Sequence, residues 1–505
     1  MTLLSKRAVA VSSAALALLG LTWSAPSGSA QSVATPAVRS AGTASVPRAH
    51  CGGGDLPETA LQGQVPLADR LTGRSSEGYR CNTTLVGGFA GEGSFIQSAF
   101  SGNCGYYGTA NNSQQAHAGT VVVDDVGTAH PRAVRYLAER SMLDVWESLK
   151  VNQARHLLAA EQKAGPGFAV YDVSTCAAPQ LLSQIDLAGN KGHAGNWAPD
   201  GKTFYAGNDD FTGFIAVDVS NARHPKSLLT WTGSPGLVGA MHDLSVSADG
   251  TRAYLGYFGT NIVGVAASSA HGLGYTPNGM AILDISDLQK RKPHPQVRVI
   301  SNLIWTDGST AQTAQILTIH GRRYVAASDE LGTKGVGGNA SWLASCAQGS
   351  PPFGYTRLID VTDERHPHIT SRLMTEAQDP ANCTQVVNDT SGGLFGYDAH
   401  YCAPDDPSNT KLIACSQWQS GVRVYDVSNP TTPREVAYYN PPAHPGARQP
   451  GTAGSTGSGI GSTADLTSSD IHFFPSKNEI GFSSQANGLQ IIRLTHGVTM
   501  RGANP

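Results

Sequence analysis

The sequence predicts an all-β chain: a seven-bladed β-propeller of four-stranded antiparallel blades, closed by an N-terminal strand. Three observations carry this. One short strand recurs seven times, three other strand-like runs surround each copy, and the chain ends one strand short while an unclaimed strand waits near its start.

The copies read TVVVDDVG from Thr120, GFAVYDVS from Gly167, GFIAVDVS from Gly213, GMAILDIS from Gly279, YTRLIDVT from Tyr355, GVRVYDVS from Gly421 and GLQIIRLT from Gly488. β-branched and aromatic residues fill a buried strand, and an Asp-x-Ser/Thr turn closes it, because short polar side chains bond nearby amides. Asp125, Asp172, Asp218, Asp284, Asp360 and Asp426 take the sixth place, and Arg493 replaces Asp in the last copy. Six aspartates in equivalent turns read as structural rather than catalytic.

With strands named A to D from the channel outward, the third unit has A at 193–198, the turn Pro199-Asp200-Gly201, B at 203–207, the Gly213 strand as C, and D at 226–232. The fourth repeats this with A at 241–247, a turn at Ala248-Asp249-Gly250, B at 252–257 and D at 296–305. The first A strand is expected at 94–101, and the second carries Asp144, Val145, Trp146 and Glu147, with Glu147 and Val145 facing the channel. The seventh unit offers A at 470–474, B at 479–484 and C at 488–494, and no D. Residues 82–89, NTTLVGGF, are predicted to supply it and so remove an exposed edge.

Composition narrows the class further. Charged residues are 14% of 505, against roughly 25% in an average globular chain, and Gly and Pro together number 86. That argues against a coiled coil, an acidic tail or a nucleic-acid binder. Residues 1–30 read as a signal peptide, with Lys6 and Arg7 ahead of a 14-residue apolar run and Gly28-Ser29-Ala30 as the cleavage site. The run is too short to span a membrane comfortably, and no lipid-acceptor cysteine follows it. Without the leader, 33 basic residues face 38 acidic ones, a charge of −5. Residues 31–50 are expected to be a flexible linker and 51–500 a single propeller domain, secreted and monomeric.

Eight cysteines and no CxxC favour disulfides in an oxidising compartment over a zinc ribbon or a redox dithiol. Chain position suggests Cys51 with Cys81, Cys104 with Cys176, Cys346 with Cys383, and Cys402 with Cys415.

The repeated C strand resembles that of the LVIVD-repeat proteins, a family of exported bacterial β-propellers, over residues 51–500. MLDVWESLKVN from Met142 and FGYDAHYC from Phe395 are similar to its actinobacterial type. The resemblance implies the propeller and no particular reaction.

Loop length locates the functional face. The long insertions at 258–278 and 331–354 are B-to-C connections, and those at 376–396 and 441–469 are D-to-A connections. In a propeller all four lie on one face, where insertions mark binding. The A strands begin on that face. His193 and His242 hold equivalent places on them, and His400 and His472 lie on A strands too. These four imidazoles, with Glu147 and Asp243, are the candidate channel-mouth residues. They either gather to hold a transition metal (copper, zinc or iron) or bond backbone carbonyls between blades. The fold is similar to that of the selenium-binding protein and methanethiol oxidase family, in which propeller histidines hold copper; this is a likeness of architecture only. There is no GxSxG, no HExxH and no phosphate loop. Two functions follow: a binding module for a protein, glycan or small molecule at the long-loop face, or a copper-type, metal-dependent oxidoreductase with its histidine site at the channel mouth.

Overall fold

In the computed structural model, residues 45–94, 96–109, 115–233, 240–258, 278–334, 337–390, 393–445 and 463–503 are described. They form seven antiparallel sheets, each with its innermost A strand on the channel. The A strands are Ser98–Ser101, Lys150–Asn152, Gly192–Trp197, Ala240–Val246, Ser309–Ile319, Ala399–Pro404 and His472–Phe474 for blades one to seven.

The C strands are buried along most of their length, as their β-branched runs require. Because successive side chains alternate in direction, each C strand serves two neighbours. Phe168 and Val170 pack toward blade three, while Ala169 and Tyr171 pack toward blade one. Repeated around the ring, this gives seven apolar clusters, each shared by two adjacent blades. The core therefore lies between blades, and the channel wall is left to other side chains.

The closing strand is Thr83–Phe89, paired with Gly488–Leu494. The chain does more than the sequence suggested. Tyr79–Cys81 adds a fifth strand to the outside of blade six, with Tyr79 opposite Asn440. Between the two strands Asn82 turns at φ 53°, its side-chain amide donating to the carbonyls of His50 and Val436. One segment thus clasps blades six and seven together. The fully buried Arg423 bonds Glu58 of the preceding N-terminal stretch and Glu435 of blade six. Residues 45–50, assigned to the linker from composition, lie against the propeller: Val46 donates to the Met374 carbonyl at 2.8 Å and is buried between blades five and six.

The repeat aspartates cap their turns. Asp172, Asp218, Asp284, Asp360 and Asp426 each accept the amide two residues on at 2.8 or 2.9 Å. In the first copy Asp124 holds this place and Asp125 does not, since Asp124 pairs with Arg132 as Asp172 pairs with Gln180. The copy is better framed from Gly119, one residue earlier. Arg493 ion-pairs with Glu479 on the adjacent strand.

The disulfides are Cys51–Cys81, Cys104–Cys176, Cys346–Cys383 and Cys402–Cys415, the four suggested by chain position. Among the described residues helix is confined to short pieces. Gly338–Cys346 and Cys383–Val386 belong to two of the long insertions and pack together through Trp342, Val386 and their shared disulfide. The segment 1–30, expected to be a signal peptide, the insertion at 259–277 and residues 446–462 of the last insertion lie outside the described residues. Among the described residues no helix is long and apolar enough to cross a membrane.

Candidate metal centre at the channel mouth

Four A strands carry a β-bulge near the face where they start: between Gly192 and Gly195, Met241 and Leu244, Ala311 and Thr313, and Ala399 and Cys402. A bulge breaks the in-out alternation and re-aims a side chain. The residues so placed include His193, His242, Gln312 and His400. Glu147 joins them from the segment before the second A strand, where a parallel bridge to Ala194 holds it. The expected alternation with Val145 does not occur. Trp146 sits at φ 43°, so Val145 enters the core between blades one and two while Glu147 enters the channel.

The Glu147 carboxylate is the hub. Its Oε2 lies 3.2 Å from His242 Nε2 and 3.6 Å from His193 Nε2, and its Oε1 lies 3.4 Å from His400 Nε2. Glu330, from the end of the fifth B strand, approaches His400 Nε2 at 3.0 Å. Gln312 donates to Glu147 at 3.1 Å, and Tyr401 donates to it at 3.4 Å.

The outer nitrogens decide the chemistry. His193 Nδ1 bonds the Asp209 carboxylate at 2.7 Å, His242 Nδ1 bonds the Gln312 carbonyl at 3.0 Å, and His400 Nδ1 bonds the Ser468 carbonyl. Carboxylates and carbonyls only accept, so each Nδ1 must carry the proton. In the neutral rings every Nε2 is then a bare lone pair. Two of these, on His193 and His242, face each other at 3.1 Å, while that of His400 faces two carboxylates and accepts from the Gln312 side-chain amide at 3.0 Å. Such a gathering of acceptors is repulsive until a proton or a cation enters. Packing between blades, the alternative reading of these histidines, thus accounts for both nitrogens of His400 but for only one each of His193 and His242, whose Nε2 atoms are left facing each other.

Electrostatics follow this geometry. Burial pushes His193 down to about 4, against the pull of Asp209 and Glu147. Burial would also lower His400, but the charges of Glu330 and Glu147 outweigh it and raise the ring to about 10. Glu147 is fully buried, yet the surrounding imidazoles hold it well below the usual carboxylate range.

Above the cluster, on the long-loop face, lies an apolar vestibule of about 220 Å³ walled by Trp146, Phe211, Phe258, Leu394, Phe395 and Trp418. Phe211 stacks on His242 at 5.7 Å between ring centroids, and Trp418 lies 5.1 Å from His400, so the aromatic wall also fixes the imidazole planes. Trp146, Phe211 and Thr310 all line this space with φ between 43° and 59°. For bulky or β-branched side chains each such conformation costs about 1–3 kcal/mol.

Two candidates from the sequence lie elsewhere. Asp243 follows His242 within the same bulge and therefore points down the channel, where it lines a second, polar cavity with Lys150, Tyr401 and Asp470. His472 also lines that cavity, stacked on Phe100 at 5.3 Å, because the seventh A strand is short and starts lower in the channel. Glu330, Asp209 and Gln312 were not singled out from the sequence. Their signal was position: an acid where a B strand or its following loop reaches the long-loop face, and an amide at the A-strand place that holds histidine in blades three, four and six. A second set of possible ligands, Cys51, Asp55 and Cys81, is occupied by a disulfide.

The family model described as LVIVD repeat matches residues 416–441, which span the C and D strands of blade six. No curated protein matches the chain. Among solved structures, the chain is similar to the β-propeller domain of Cps50 (Swd1) from Myceliophteria thermophila, at 11% identity and a TM-score of 0.47, covering 82% of this chain and 100% of that one. It is likewise similar to hydrazine synthase from Kuenenia stuttgartiensis, at 12% identity and a TM-score of 0.47, covering 80% and 96%. Likenesses of this degree say nothing about what the chain binds or does.

Proposed function

We propose that this protein is an exported propeller enzyme holding one divalent transition-metal ion at the channel mouth through His193, His242 and His400, with Glu147 and Glu330 completing the set. The observation that carries the reading is the convergence of three imidazole Nε2 atoms on a buried carboxylate, each ring oriented by an acceptor at Nδ1. That outer bond is the arrangement that fixes the tautomer of metal-ligating histidines. Mixed imidazole and carboxylate donors suit iron(II), zinc(II) or copper(II) and disfavour soft copper(I). A bound ion would supply Lewis acidity and, as iron or copper, electron transfer. The chain's own part is to hold the tautomers through Asp209 and two backbone carbonyls and to keep the site dry beneath the aromatic wall. Four disulfides agree with export. The remaining reading, a non-catalytic binding module, is favoured by the insertions packed on the same face.

The test is elemental analysis of protein produced with zinc, iron and copper each available. One equivalent of metal is expected, lost from the His193→Ala, His242→Ala double variant with little change in melting temperature. Metal-free wild type under every supply, with no uptake on titration, would reject the enzyme reading and leave the binding module.

A further inference from the structure

The vestibule is specific enough to name what enters it. We propose that it binds one neutral, single-ring-sized apolar molecule bearing a hydroxyl, such as a phenol or an aromatic alcohol, with the hydroxyl directed at the histidine and carboxylate floor. This rests on the metal reading for the charge of the floor, and on the cavity alone for size and polarity.

Size comes first. An engineered cavity of about 150 Å³ lined by Leu, Ile and Phe takes up benzene. At about 220 Å³ the vestibule has room for one ring with a short substituent. Shape comes from Trp146, Phe211, Phe258 and the stacked pair Phe395 and Trp418, whose ring centroids lie 4.0 Å apart with the planes at 5°. Aromatic walls favour a planar guest through offset or edge contacts.

Charge comes next. Glu147 and Glu330 carry two negative charges, which a divalent ion balances, so the loaded floor is close to neutral and does not call for an ionic ligand. The cationic side chain nearest the wall, Lys163, is already committed: its Nζ lies 4.1 Å from the Trp146 ring centroid and 2.9 Å from Asp209. Among the described residues, a carboxylate-bearing guest would therefore find no uncommitted cation at the wall. A hydroxyl suits the floor in either state, since it can donate to Glu330 or offer oxygen to the ion. The strained backbone at Trp146, Phe211 and Thr310 is a separate indication, because unfavourable φ values concentrated in one cavity wall are kept where a fixed shape is needed.

The experiment titrates phenol, benzoate and tetramethylammonium into metal-loaded and metal-free protein, following tryptophan fluorescence and calorimetry. Phenol should bind at one equivalent and at least tenfold more tightly than benzoate or tetramethylammonium in the loaded protein. In Leu394→Trp, which fills the vestibule, phenol binding should fall at least tenfold while metal content stays at one equivalent. Phenol binding unchanged in Leu394→Trp, or no phenol binding to folded, metal-loaded wild type, overturns the proposal. Tighter binding of tetramethylammonium also overturns it, in favour of an aromatic cage for cations. If no metal is ever bound and phenol still binds in a Leu394→Trp-sensitive way, the ligand class stands and the metal reading fails.

Discussion

At the long-loop end of the channel, three imidazoles and two carboxylates turn acceptor atoms toward one another. At the opposite end, Lys150 ion-pairs with Asp470, and its charge also reaches the buried Asp243. Both ends are built from the same A strands, and both are rich in titratable groups. The polar cavity supplies its own cation in a side chain, so it is complete as it stands. Among the described residues the vestibule end has no lysine or arginine paired with its carboxylate hub, whose donors are the neutral Gln312 and Tyr401, so its charge is left for a proton or a metal to balance. Histidine content alone does not separate the two. His472 belongs to the polar end and makes ring contacts with Phe100 and Phe474, whereas His193, His242 and His400 aim nitrogen lone pairs at a shared point.

The largest effect that tests this contrast is expected from Lys150→Met. Removing the cation strands the part-exposed Asp470 and leaves the buried Asp243 without a compensating charge, and a loss of about 1–3 kcal/mol is expected. Chemical denaturation should show that loss while metal content stays at one equivalent. A matching loss of metal would mean that the two ends are not independent.

Glu147→Gln comes next. It keeps the size of the side chain and removes the charge on which three rings converge, and metal affinity should fall by at least about 100-fold, as loss of a ligand exceeds the 10–100-fold cost of an outer-shell change. Competition with a chelator measures this. Equal affinity in Glu147→Gln and wild type would place the metal, if any, elsewhere.

The smallest effect belongs to His472→Phe, which should leave metal content alone and change stability at pH 7 by less than about 1.5 kcal/mol. Its signature is in pH dependence. Burial lowers His472 from 6.5 to about 4, so between these values the unfolded chain binds more protons than the folded one. Stability contributed by the neutral ring is therefore full above pH 6.5 and declines as pH falls toward 4, by at most about 1.4 kcal/mol per unit. The Phe variant should decline less over that window in metal-free protein. Parallel pH profiles would show that the ring is solvated in the folded state.

The propeller was legible because its information is periodic. The C strands repeat their burial pattern and their capping Asp, and a missing D strand at one terminus matches a spare strand at the other. The site was legible only in part, because it depends on breaks in that period. A bulge is a local departure from alternation, and nothing in His-Ala-Gly or Met-His-Asp marks which residue turns inward. Asp243 was misplaced for that reason, since it shares a bulge with His242 but points the other way. Glu330 was missed because a single acid at a strand end looks like any solvated carboxylate until His400 is seen 3.0 Å away. The fifth strand on blade six is three residues long, too short for a pattern, and it exists because the neighbouring closing strand brings it there.

The clasp formed by Tyr79–Cys81 and Thr83–Phe89 bears on the order of assembly. These strands are among the first parts of the domain to be synthesised, and their partners, Arg434–Asn440 and Gly488–Leu494, are among the last. Contacts so distant in sequence form slowly, since a long loop must close before any pairing rewards it. The ring therefore cannot finish until residues 488–494 have emerged, and its opening strand spends that interval as an unpaired edge. The Cys51–Cys81 bond needs no such wait, because its partners are only 30 residues apart. It can tie down the segment early, so that maturation ends with a preorganised clasp meeting the last blade.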